Sequence, residues 1–209
     1  MINIKTIEKT LIIILISLLI VTVGYLLFNF VFTKSDSKQE ITLESKIEDY
    51  NYTLYTNATK LYRDLFFELK DILKEDEVNK ELYAELISKL FIVDFYTLEN
   101  KLTKNDVGGS QLIYEEIRDN FVLKASDTLY KYVENNLYGN RTQELPNVKS
   151  IEVINIENIS FEYNDKIDEY AYKVKLSWEY HQDLGYQNEA IVIIINQEEK
   201  LEIVEKTNI

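Results

Sequence analysis

Apolar side chains in this chain follow three rhythms in turn. Residues 11–32, LIIILISLLIVTVGYLLFNFVF, are apolar almost without interruption and carry no charge. Residues 58–137 space them three and four apart, the period of an amphipathic helix. Residues 148–206 alternate or run apolar in short blocks between turns, the period of strands.

As a helix, residues 11–32 would rise ~33 Å, enough to cross a bilayer core. Tyr25, Phe28, Phe30 and Phe32 gather at its C-terminal end, as aromatics do at a membrane interface. No alanine occurs before Ala58, so a signal-peptidase site of the A-x-A kind is missing and the span reads as an uncleaved anchor. Residues 1–10 are then a cytoplasmic head, 33–45 a linker, and 46–209 a domain outside the cell membrane. The flanking lysines, Lys5 and Lys9 before and Lys34, Lys38 and Lys46 after, do not settle the orientation. It rests instead on the short head and the large domain that follows, the pattern of a signal anchor.

Residues 46–57 are tyrosine-rich and partly alternating, which predicts an opening strand, with a helical continuation of the linker as the alternative. Residues 58–73 predict a first helix capped by Thr56 or Asn57. A second runs from Asp76 or Asn79 to about Asn100 and includes LFIVDFY at 90–96. That stretch is apolar nearly all round, so this helix is predicted to be the buried centre. A third is predicted over about 111–137, bent near Asn120 and closed by Gly139. Four strands follow, at 148–163, 170–180, 189–196 and 201–206. Apolar parity shifts near 155–158, which predicts a bulge.

Helices ahead of an antiparallel meander predict an α+β domain with helices packed on a curved antiparallel sheet. This order of elements resembles the nuclear-transport-factor-2-like (NTF2-like) or cystatin-like layout. With an N-terminal span it also resembles the VirB8 class of conjugation and secretion subunits. The segments LFIVDFYTLENKLTKNDVGG and NRTQELP resemble uncharacterised membrane-anchored proteins of low-GC, clostridia-like Gram-positive bacteria. The VirB8-like resemblance implies self-association and membrane partners; neither brings catalytic residues.

Composition narrows the chemistry. The net charge is −13, and residues 1–32 hold only Lys5, Glu8 and Lys9, so the domain is acidic and lacks the basic stripe of a nucleic-acid binder. There is no cysteine, and the only methionine is Met1, which excludes disulfides and soft-metal sites. His181 is the only histidine. It precedes Asp183, but no G-x-S-x-G completes a triad. Asp94, inside the apolar run, is either a buried general acid or base, or a carboxylate on the helix's one polar edge or bonded to a neighbouring helix. No calcium-loop spacing appears among the acidic residues. No cofactor, metal site or catalytic set is expected.

Two places hold candidate interaction or pocket residues. One is Gly108–Gly109 beside Asp106. Asp106 opposes an anion there, so the pair reads as a conformational corner with Ser110 capping the next helix. The other is the aromatic face of the 170–180 strand, namely Tyr170, Tyr172, Trp178 and Tyr180, which is either core or the wall of an apolar pocket. The expected function is a non-enzymatic, membrane-anchored protein-interaction or scaffold domain that binds protein partners and self-associates. A surface domain binding a ligand in an apolar pocket is the alternative, and a cell-wall-acting enzyme the remaining one.

Overall fold

The computed structural model describes residues 13–26 and 38–209. The chain divides into two compact units, Met1–Lys38 and Gln39–Ile209. In the first unit, residues 13–26 form helix α1, and all its isoleucines, leucines and valines are exposed. This described stretch rises ~21 Å, and no helix among the described residues is long and apolar enough to cross a membrane. Residues 11–12 and 27–32 of the expected span lie outside the described residues, as do the head at 1–10 and residues 33–37 of the linker.

The second unit is α+β. It opens on an antiparallel hairpin, β1 (Leu43–Ile47) and β2 (Tyr52–Tyr55), where the sequence predicts one strand. A 3-10 turn at Glu48–Tyr50 and Asn51 in the left-handed region (φ 55°) reverse the chain. Asparagine tolerates that conformation well. Strand β1 starts inside the stretch expected to be linker.

Helix α2 (Lys60–Ile72) buries Tyr62, Leu65, Phe66, Leu69 and Ile72, one stripe at helical spacing. Its cap is Thr59, whose hydroxyl accepts the Tyr62 N–H at 3.2 Å, rather than the expected Thr56 or Asn57. Helix α3 (Lys80–Tyr96) is capped by Asn79, which accepts the Leu82 N–H at 3.1 Å. It is the central helix, buried on nearly all sides, and packs on β3, β4 and β6. Each fully buried Leu, Ile or Phe contributes about 1.5–3 kcal/mol. Ser88 is tolerated there because its hydroxyl donates to the Ala84 carbonyl.

Helix α4 spans only Glu115–Asp127, ten residues short of the predicted end, and Gly139 lies in a later turn. Propensity gives way to tertiary contacts here. The Thr128 hydroxyl donates back to the Lys124 carbonyl at 2.6 Å, and the chain breaks at Thr128 (φ −121°, ψ −95°). Tyr130 then turns fully into the core.

The sheet is an antiparallel meander, in the order β3 (Val148–Tyr163), β4 (Lys166–Tyr180), β5 (Glu189–Gln197) and β6 (Lys200–Asn208). The β3–β4 register shifts between Val153 and Asn155, at the edge of the region where the parity change predicts a bulge. Val174, Leu176, Val192, Ile194 and Ile203 join the helices in the main core. A smaller cluster, Ala171, Ile193, Ile195 and Val204, forms separately from it.

Candidate functional site

At the glycine corner, Asp94 lies in the last turn of α3 and faces the loop that follows. Its Oδ2 accepts the Gly109 N–H at 2.6 Å, and its Oδ1 is ion-paired with Lys101, whose side chain is 4% exposed. The N–H that an incoming anion would use already serves this carboxylate. A Cβ on Gly108 would lie 2.1 Å from the Asp94 backbone oxygen. Gly109 sits at φ +73°, with the Phe91 ring against it. Of the two, Gly109 supplies the left-handed turn expected of the corner; Gly108 does not adopt a positive φ, and what calls for a glycine there is the close approach to the Asp94 backbone. Ser110 does not cap the next helix as expected; it opens a 3-10 turn over Ser110–Leu112. Asp106 stays local, accepting the Leu102 N–H at 3.1 Å.

Beside this corner lies a polar cavity of about 250 Å³ that includes Tyr62, Asp94, Asp106, Gly108 and Gln111 in its walls. The Gln111 amide is fully engaged. It accepts from Thr53 N–H and Oγ1 and donates to the Thr53 carbonyl and the Tyr62 hydroxyl. The arrangement locks the β1–β2 hairpin to the loop after α3. Asp94, with both oxygens engaged, is a structural carboxylate bonded to the loop that follows its own helix.

The four aromatic candidates on β4 separate. Tyr172 and Trp178 are buried in the core under the helices. Tyr180 is half-buried and donates to the Gln187 carbonyl at 2.6 Å. Tyr170 is 74% exposed. The β3–β4 register shifts between Ile159 and Phe161, which pair with Ala171 and Asp168, so Tyr170 sits in a bulge and loses the alternation. None of the four lines a second, larger cavity among the described residues.

That cavity, about 780 Å³, opens between the end of α3, α4 and the end of β6. Its size falls within the range of small-molecule sites. Phe95, Phe121, Ala125 and Leu129 make its apolar walls, and Lys124, Lys206, Gln187 and Asn208 supply polar groups. Phe95 and Phe121 pack with ring centroids 5.3 Å apart. Lys206 Nζ donates to the Tyr96 hydroxyl at 2.7 Å and to Asn208 Oδ1 at 2.5 Å. The Tyr96 hydroxyl donates onward to Gln187 Oε1 at 2.9 Å, and Gln187 Nε2 donates to the Glu189 carbonyl. Lys206 also lies 5.2 Å above the Tyr96 ring and 5.7 Å above that of Phe95.

Neither Lys124 nor Lys206 is ion-paired among the described residues. Burial, and secondarily the charge of Lys124, bring Lys206 down to about 8 from its usual 10.5. Burial holds the Tyr96 hydroxyl well above the ordinary phenol range, so it stays protonated as a donor.

Sequence reasoning singled out none of these cleft residues. Lys206 ends an ordinary strand, and Lys124 follows Phe121 by three on an unremarkable helix. No local signal brings them together; the meander and the early end of α4 do. His181 is exposed, and Asp183 beside it accepts the Gly185 N–H at 2.9 Å. Among the described residues no group of three or more His, Asp or Glu side chains could hold a metal ion. Comparison with protein-family models, curated proteins and solved structures finds no match to the chain.

Proposed function

We propose that this chain is a membrane-anchored binding domain. Residues 11–32 hold Gln39–Ile209 at the outer face of the cell membrane, and the α3–α4–β6 cleft takes up a small, largely apolar ligand. The observation that carries the reading is the cleft itself, with Phe95, Phe121 and Leu129 as walls and Lys206 among its polar groups. Apolar concavity with a few convergent polar groups is the usual form of a ligand site. The anchor rests on the uncharged run at 11–32 and on the exposed apolar surface all round residues 13–26, which calls for an apolar surrounding. Catalysis is no part of the proposal.

A photoreactive aryl-diazirine probe, applied to the full chain in membranes and mapped by mass spectrometry, tests it. Labelling at Phe121–Leu129 and Lys206–Asn208 is expected. Labelling confined to residues 11–32, or scattered over the sheet, would overturn the ligand reading.

A second reading, the protein-contact or scaffold domain of VirB8-like layout, draws support from Leu123 and Tyr132, which are 61% and 75% exposed. Crosslinking from position 132 in native membranes tests it; recovery of no crosslinked protein there counts against it.

A further inference from the structure

The polar end of the cleft carries positive charge with no counterion. An ammonium has three N–H donors. Lys206 directs two of them to neutral oxygens, Tyr96 Oη and Asn208 Oδ1. The third has no acceptor among the described residues. Lys124, from α4, adds a second positive charge to the same cavity. The acids on neighbouring strand positions are directed elsewhere. Glu189 pairs with Lys175 at 3.5 Å, and Glu205 accepts from the Thr207 hydroxyl at 2.9 Å. Two uncompensated cations in one cleft stand out in a chain of net charge −13.

We infer that the cleft selects a small amphipathic carboxylate, its head on Lys206 and its aliphatic or aryl tail against Phe95, Phe121 and Leu129. This rests on the cleft being a ligand site. A carboxylate oxygen would take the free N–H in a charge-assisted bond and neutralise a half-buried charge. An alcohol would take the N–H but leave the charge. An amine would meet two ammonium groups.

The test is a matched series of 4-phenylbutyrate, 4-phenylbutanol and 4-phenylbutylamine at pH 7. Binding is measured by equilibrium dialysis against the full chain in nanodiscs, with empty nanodiscs as the blank. The carboxylate is expected to bind about tenfold tighter than the alcohol, and the amine weakest. Lys206→Met is expected to remove most of the preference, because the carboxylate loses a charge-assisted bond and the alcohol only a weaker hydrogen bond to a neutral oxygen. If the alcohol binds the wild type as tightly as the carboxylate, or Lys206→Met keeps the preference, the inference falls and the ligand reading stands. If none of the three binds saturably, both fall. The wild-type series decides the matter even if the variant does not fold.

Discussion

The backbone N–H of Gly109 donates to the side chain of Asp94 at 2.6 Å, and the same carboxylate holds buried Lys101. One side chain thus fixes the loop after α3, and the two partners are unequal. Asp94→Ala leaves a buried ammonium and a backbone N–H without acceptors, and about 3 kcal/mol of stability should go. Lys101→Met leaves a carboxylate that is 23% exposed and still bonded to Gly109, so the loss should stay under about 2 kcal/mol. Urea unfolding of the two variants checks the order.

The glycine pair makes a sharper demand. Gly108→Ala would press a methyl group onto the Asp94 backbone oxygen, which no rotamer change relieves. Gly109→Ala must hold a left-handed backbone and displace the Phe91 ring. Both should lose more than about 2 kcal/mol, with Gly108→Ala the worse, in thermal or urea melts.

Tyr130 is the point at which α4 is given up for the core. Its hydroxyl donates to the Phe95 carbonyl at 2.7 Å and accepts the Gly108 N–H at 3.0 Å. Tyr130→Phe strands both backbone groups in a buried place, and about 1–3 kcal/mol should be lost. Hydrogen exchange at Gly108, in the loop after α3, should accelerate more than at the amides of α3 or β4.

Lys206 makes stability depend on pH in a particular direction. Its folded value is about 8, below the usual 10.5, because of burial first and Lys124 second; Tyr96, its other titratable neighbour in the cleft, stays protonated. Between those values the unfolded chain binds more protons than the folded one, so this residue adds stability as pH rises. Its penalty is complete below about pH 8 and gone near 10.5. The stability difference between wild type and Lys206→Met should therefore move in favour of the wild type from pH 7.5 to about 10, measured by urea midpoints in paired buffers.

The strand half was readable because alternation is a local property. Val148–Tyr163 appears with the boundaries its pattern predicts, and Tyr172, Val174, Leu176 and Trp178 point inward as their parity requires. Tyr170 departs because a bulge depends on the partner strand, which no local pattern contains. The all-apolar run of α3 marked the central helix. The end of α4 was hidden, since apolar spacing continues through Leu129 and Val133 while Tyr130 is drawn to Phe95 and Gly108. The cleft was hidden for a related reason. Its walls come from residues 95, 121, 129 and 206, which only the folded chain brings together.

Trp178 is the only tryptophan and packs against Tyr96, which lines the cleft, with ring centroids 4.7 Å apart and the planes tilted by 35°. Its emission therefore reports on the site. The most direct measurement titrates 4-phenylbutanol into the full chain in nanodiscs and compares wild type with Thr128→Phe, which places a ring in the cleft mouth. A saturable change in Trp178 emission that the variant loses is the expected result. No saturable change in the wild type, or an equal change in Thr128→Phe, would contradict a ligand-binding cleft.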